Sequence, residues 1–194
     1  MLSNLNLNRY AEGTMDTKGD ELNYLAAKMR ALGANVKTVD VSANPPSTPD
    51  ASSTPTTTAT TDASSADEHV SIQDVMRHHP NEASRFASHL PKMTRAEAVS
   101  AVSVALRAML CKAHSLGEVS GVVGIGGSGG TSLITGALKE LPIGTPKLMV
   151  STVAAGDVAA YVGHSDLVMM VSAPAPLTYL SSSSSSLSFQ KHVY

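Results

Sequence analysis

The sequence has one cysteine, no tryptophan and two phenylalanines among its 194 residues. A single thiol forms no internal disulfide and supplies no zinc cluster, so the default expectation is a reducing, cytoplasmic setting. Cys111 lies among Leu106, Met109 and Leu110 on a helical pattern and reads as a small core residue. Aromatic residues make up 4% of the chain, and 14 basic residues stand against 16 acidic ones with no basic block, which argues against nucleic acid as a partner. No apolar window approaches the roughly 20 residues that span a bilayer. Met1 to Tyr10 is polar, unlike a secretory signal, so no membrane role is expected.

What the sequence does have is glycine, concentrated in Gly121 to Leu133. Val122, Val123 and Ile125, a short β-branched run bounded by glycine, predict a strand buried on both faces. Gly124, Gly126, Gly127, Gly129 and Gly130 follow, allowing positive φ and close approach of backbone N–H groups to a ligand. Thr131 and Ser132 stand where a helix is expected to start, beside its unsatisfied N–H groups and positive dipole end. The combination predicts an anion site; the alternative is a tight strand-to-helix turn that binds nothing.

Two motifs overlap in this stretch, and neither is complete. Gly124-x-Gly126-x-x-Gly129 fits the dinucleotide fingerprint, but the next strand, Lys147 to Val150, ends in Ser151-Thr152 with no acid to hold a ribose. Gly124-x4-Gly129-Gly130-Thr131 fits a P-loop, except that glycine replaces the lysine that would meet the β/γ-phosphates. A backbone cradle for phosphate survives both tests, with its positive charge supplied from elsewhere.

Along the chain, Leu5-Asn-Leu7 makes at best a poor strand without the β-branched run of a central one. Gly13 to Glu21 is a polar loop, with Asp20 as cap for a helix whose stripe is Leu22, Leu25, Ala26, Met29 and Leu32, ended by Gly33. Asn35 to Val41 alternates as a strand. Residues 42–67, rich in Ser, Thr, Pro and Ala, read as a disordered insertion. Ile72, Val75 and Met76 suggest a helical turn, while His78, His79 and His89 lack the spacing of a metal set. Thr94-x-x-Glu97 is a capping box for a helix running to about Leu116 and stopped by Gly117. A helix over Ser132 to Leu141, the strand Lys147 to Val150 and a last strand, Leu167 to Val171, complete the pattern. Residues 173–194, with the serine run Ser181 to Ser186, read as a disordered tail. Alternating strands and helices over 1–172 predict an α/β, Rossmann-like doubly wound parallel sheet with its ligand at the carboxyl ends of the strands.

Three motifs carry a resemblance: Gly13-Thr-Met-Asp-Thr-Lys18, Gly121 to Ser132, and Leu141-Pro-Ile-Gly-Thr-Pro-Lys-Leu-Met-Val-Ser-Thr152, followed by Tyr161-Val-Gly-His-Ser-Asp166. Together they closely resemble the family of the tomato mosaic virus resistance protein and its bacterial and fungal relatives, over residues 13–41 and about 94–172. The resemblance implies an ATP-binding α/β domain that forms a homodimer and acts in regulation or protein interaction. It places phosphate contact on Gly126, Gly127, Ser128, Gly129, Gly130 and Thr131, and a wall of the site on Asp16, Thr17, Lys18, Ser151, Thr152 and Asp166. Two departures accompany it. Family members begin with an apolar strand where this chain has polar Leu5 to Glu12, and they continue through a second α/β lobe where it has Ala173 to Tyr194. The expected sheet is therefore incomplete at both ends.

Roles within that set stay open in the sequence. Lys18 is either the missing cation or a solvated lysine paired with Asp16 or Asp20. Asp16 is a candidate for Mg²⁺ beside phosphate, and Asp166 serves equally as a turn cap. His164 reads as a turn residue, and no catalytic nucleophile is assigned. An enzyme acting on a phosphorylated or acyl substrate, and a non-functional fragment, are the alternatives to a nucleotide-binding module.

Overall fold

The computed structural model describes residues 8–43, 68–80 and 93–172. The insertion from residue 44, the tail at 173–194 and His89 lie outside the described residues. The chain order is β1 (Asn8–Gly13), α1 (Met15–Ala31), β2 (Asn35–Asp40), β3 (His69–Val70), α2 (Ile72–Met76), α3 (Arg95–Ser115), β4 (Gly121–Gly126), α4 (Ser128–Leu138), β5 (Lys147–Ser151), α5 (Ala159–Val162) and β6 (Val168–Val171). A 3-10 turn, Thr152–Ala155, follows β5. All five strand pairings are parallel, in the order β3-β2-β1-β4-β5-β6. This is the expected doubly wound arrangement.

The first strand departs from expectation. Leu5 to Glu12 reads as polar where an apolar first strand is expected, yet Asn8–Gly13 pairs with β2 on one side and β4 on the other. Two ladders satisfy its backbone, and that tertiary context overrides its weak propensity. Ala11 and Gly13 turn toward α1, where small residues are needed: a Cβ on Gly13 would stand 3.3 Å from Leu22 Cδ2. Leu22, Ala26, Ala34 and Val36 complete the core on that side. Burying Leu22 fully contributes about 2 kcal/mol. Helix α1 starts at Met15 behind Thr14, so Asp20 lies inside it rather than capping it. Leu32 is the C-cap and is 88% exposed, not part of the stripe.

On the opposite face, Tyr10, Val39 and Val122 meet α3 and α4 in the main core. The Thr94 capping box forms as expected: its hydroxyl accepts from the Glu97 N–H, and Glu97 Oε2 accepts from the Thr94 N–H at 2.8 Å. Val102, Leu106, Met109 and Leu110 form the buried face, and Gly117 ends the helix region at φ +73°. Cys111 is exposed, a correction to its core reading. It lies 200° around the helix from Met109 and so falls away from the stripe. Where α3 crosses α4, a Cβ on Gly136 would stand 2.8 Å from Ser103 Oγ, whose hydroxyl bonds the Leu133 carbonyl at 3.0 Å. Among the described residues no helix is long and apolar enough to cross a membrane.

At the amino edge of the sheet, Lys147 is buried and its Nζ contacts Asp166 Oδ1 at 2.5 Å and the Leu141 and Pro142 carbonyls at 3.2 and 2.8 Å. The Lys147 hydrogen bond, helped by the Gly144 N–H at 2.7 Å, holds the Asp166 carboxyl below its ordinary pKa. Removing one partner of such a pair is worse than removing the charge itself. Asp166→Ala is therefore expected to lower Tm more than Lys147→Met does; equal Tm values for the two variants would show that the pair does not anchor this edge.

Candidate functional site

Connections from β1 lead to β2 on one side and those from β4 to β5 on the other, so the winding reverses between β1 and β4. Two loops diverge at such a point and leave a crevice beyond the carboxyl ends of the strands. A cleft of about 260 Å³ opens there, between the segment after β1, the start of α3 and the start of α4.

The segment after β1 is tied down from β2. Asp40 Oδ1, at the end of that strand, accepts from the Met15 N–H at 3.3 Å and from Ser42 Oγ at 2.6 Å, and Ser42 Oγ accepts from the Asp16 N–H at 3.2 Å. The Thr14 carbonyl accepts from the Thr17 and Lys18 N–H groups. Lys18 then leaves helical geometry (φ −134°, ψ 20°). Asp16, Thr17 and Lys18 thereby line the cleft. Lys18 Nζ is bound to Glu21 Oε1 at 2.7 Å. Partial burial, the largest single influence, raises the Glu21 pKa, but the Lys18 hydrogen bond, a backbone hydrogen bond and the Lys18 charge together outweigh it and the net shift is downward, so Glu21 is ionised and neutralises the lysine at neutral pH.

Across the cleft, α4 begins at Ser128 rather than Ser132. Its N-cap, Gly127, has extended backbone and no side chain with which to cap, and the first turn contains no acid. The first N–H groups of a helix have no partner within it. Here they stand beside the cleft in Gly127, Ser128, Gly129 and Gly130.

The five glycines divide into two groups. A Cβ on Gly124 would stand 2.6 Å from Ile134 Cγ2 and 2.8 Å from Met149 Sδ, and one on Gly126 would stand 3.0 Å from the backbone of Gly130 and Thr131. Those two are required for α4 to pack on β4. Among the described residues Gly127, Gly129 and Gly130 meet nothing closer than 3.5 Å, and none of them has positive φ. The positive-φ loop expected from the sequence is absent; these glycines keep backbone bare where the fold has room for a side chain.

The other expected site residues are placed as follows. Thr131 is buried, its Oγ1 2.5 Å from the Oγ of buried Ser151, and both lie behind the cleft, not in it. Gly126 is the last residue of β4, also behind it. Thr152 is exposed at the same edge, 4.0 Å from a Cβ on Gly127, without lining the cleft. Asp166 is corrected outright: it precedes β6 and pairs with Lys147 at the start of β5, so it lies at the opposite edge of the sheet. Arg95, which the sequence reading did not single out, lines the cleft from the first position of α3, its Nη2 3.5 Å from a Cβ on Gly129. Only folding brings these two segments together, so no local pattern marks it. Among the described residues no group of three His, Cys, Asp or Glu is placed to hold a metal ion.

Glu12 was also missed. It is fully buried in the penultimate position of β1, and neither carboxyl oxygen has a hydrogen-bond partner among the described residues. Burial pushes its pKa up from 4.5 to about 8, so it is protonated at neutral pH.

The chain is 40% identical over 163 residues to a UPF0261 protein of Mesorhizobium japonicum, covering 84% of this chain and 35% of that protein. A Rhizobium meliloti UPF0261 protein gives the same identity and coverage. The ToMV resistance protein Tm-1(GCR237) of Solanum lycopersicum is 34% identical over 170 residues, 82% of this chain and 21% of its own length. The chain thus spans about a third of the bacterial relatives and a fifth of the tomato protein. Residues 10–174 match the N-terminal domain of an uncharacterised protein family, a span that runs from the core of β1 past the end of β6, and on that ground the chain belongs to the UPF0261 family.

Proposed function

We propose that this chain binds a phosphorylated nucleotide, ATP with Mg²⁺, at the cleft between β1 and β4, and that it works as a binding module with a regulatory or interaction role. One observation carries the reading. Gly129 and Gly130 stand in the first turn of a helix, at ordinary φ and with room for a Cβ. Glycine there costs up to about 1 kcal/mol of helix stability relative to alanine. Nothing among the described residues requires it, whereas an anion held on the N–H groups of α4 does. Asp16 is the carboxylate lining the cleft that suits a phosphate-bound magnesium ion, which needs only one or two. The volume is below the roughly 300–1,000 Å³ of a typical ligand pocket. It suits phosphate groups rather than a whole nucleotide. With Lys18 neutralised by Glu21 and no P-loop lysine, turnover of ATP is expected to be negligible.

The test is thermal unfolding with and without Mg-ATP, for the native chain and for Gly129→Val. Ligand at a hundredfold excess over Kd stabilises by about 2.7 kcal/mol, so the native Tm is expected to rise. Gly129→Val is expected to melt cooperatively and to lose that response. A native chain that melts cooperatively and ignores Mg-ATP refutes the nucleotide reading.

A further inference from the structure

We propose that Arg95 is the cation of this site, gripping ligand phosphate from the start of α3 against the backbone donors of α4. The inference rests on the phosphate reading above and adds the residue that gives it charge selectivity. Lys18, the sequence's candidate, is held by Glu21 at 2.7 Å. Arg95 makes no ion pair with any described residue. Its nearest acid in sequence, Glu97, is committed to the capping box: its Oε2 accepts from both the backbone N–H and the hydroxyl of Thr94 at 2.8 Å. The guanidinium reaches the cleft at Gly129, 3.5 Å from where that residue's Cβ would be. A side chain on Gly129 would thus occupy the space between guanidinium and helix end, where an oxyanion has donors on both sides.

Helix stability does not account for this placement. A cation in the first turn of a helix faces the positive end of the dipole and is mildly unfavourable. Arg95 is exposed and packs into no core. Its planar fork matches two phosphate oxygens at once, which the compact ammonium of lysine does not. Asp16, a carboxylate in the same cleft, repels a bare anion and tolerates one that arrives with a cation. The site described is therefore one for a magnesium-bound phosphate, with Asp16 toward the metal and Arg95 toward the phosphate oxygens.

The experiment measures Kd by calorimetry for Mg-ATP, Mg-ADP and adenosine on the native chain and on Arg95→Met, Arg95→Lys and Lys18→Met. Arg95→Met is expected to weaken Mg-ATP by about tenfold or more while changing adenosine by less than about threefold. Arg95→Lys recovers only part of the loss, and Lys18→Met loses less affinity than Arg95→Met. The Arg95 effect is expected to shrink as salt is raised, since the group is exposed. Circular dichroism melts check that Arg95→Met remains folded, as removal of an exposed first-turn cation should allow. Native binding of Mg-ATP with an unchanged Arg95→Met overturns the Arg95 assignment and leaves the phosphate site standing. A larger loss for Lys18→Met than for Arg95→Met transfers the role to Lys18. Native protein that binds neither Mg-ATP nor Mg-ADP overturns the phosphate reading and the Arg95 assignment with it.

Discussion

Replacing Glu12 by methionine is expected to stabilise the chain by several kcal/mol at pH 8 and to flatten its stability between about pH 5 and 8. The native carboxyl is buried without a hydrogen-bond partner among the described residues and has its pKa raised from 4.5 to about 8. A carboxyl held protonated in the folded state binds its proton more tightly there than in the unfolded chain. Its stabilising linkage is whole below pH 4.5 and is lost as pH rises toward 8, at about 1.4 kcal/mol per pH unit. By pH 8 the cost is roughly 5 kcal/mol, added to the cost of about 1–3 kcal/mol for a neutral buried carboxyl with no hydrogen bond. Methionine has a similar shape and carries neither penalty. His78 works in the opposite direction over part of this range. Burial, with Lys112 nearby, lowers its pKa, so the folded state gains stability as the imidazole loses its proton. The difference between native and Glu12→Met profiles cancels that contribution. Urea titrations at half-unit steps of pH check the result. Parallel native and variant profiles across pH 5 to 8 would mean that Glu12 is not buried as described.

Glu12 also shows why the first strand was hard to read. Asn8, Arg9 and Glu12 are poor strand residues by type, and only their position between β2 and β4 makes them strand. Local propensity carries no information about that position. The long helix was legible because its signals are local: the Thr94–Glu97 box, the stripe from Ala98 to Leu110 and Gly117 all act within a few residues of themselves. The start of α4 was not. Gly129-Gly130 reads as loop by composition, yet the backbone turns helical at once because the bare Gly124 and Gly126 let the helix lie directly on β4.

The candidate site divides in the same way. Its glycines and the Asp16-Thr17-Lys18 segment were visible because each belongs to a contiguous motif, and the parallel topology brings both to one edge. Arg95 was invisible because it reaches the cleft from a third element. Asp166 shows the converse. It precedes its strand, and in a parallel sheet that places it at the amino edge, with Lys147 and away from the cleft. Motif membership alone assigned it to a wall of the site, and geometry removes it.

Gly124→Val is expected to cost about 3 kcal/mol, lowering the urea midpoint by about 1–2 M without altering the slope. Its Cβ would stand 2.6 Å from Ile134 Cγ2 and 2.8 Å from Met149 Sδ, and both neighbours are fully buried. Met149 can bend aside, but Ile134 is β-branched and sits on α4, so the helix itself must move away from β4. Gly129→Ala is the counterpart. Among the described residues its Cβ meets only Arg95 Nη2, at an ordinary contact distance of 3.5 Å. Alanine is the better helix former, so this variant is expected to gain a few tenths to about 1 kcal/mol while weakening phosphate binding. Opposite signs of stability change at two glycines of one motif separate a glycine kept for packing from one kept for a ligand. If Gly129→Ala gains stability and loses no affinity for Mg-ATP, the bare backbone at that position serves no phosphate; if it loses stability, the fold itself needs the glycine.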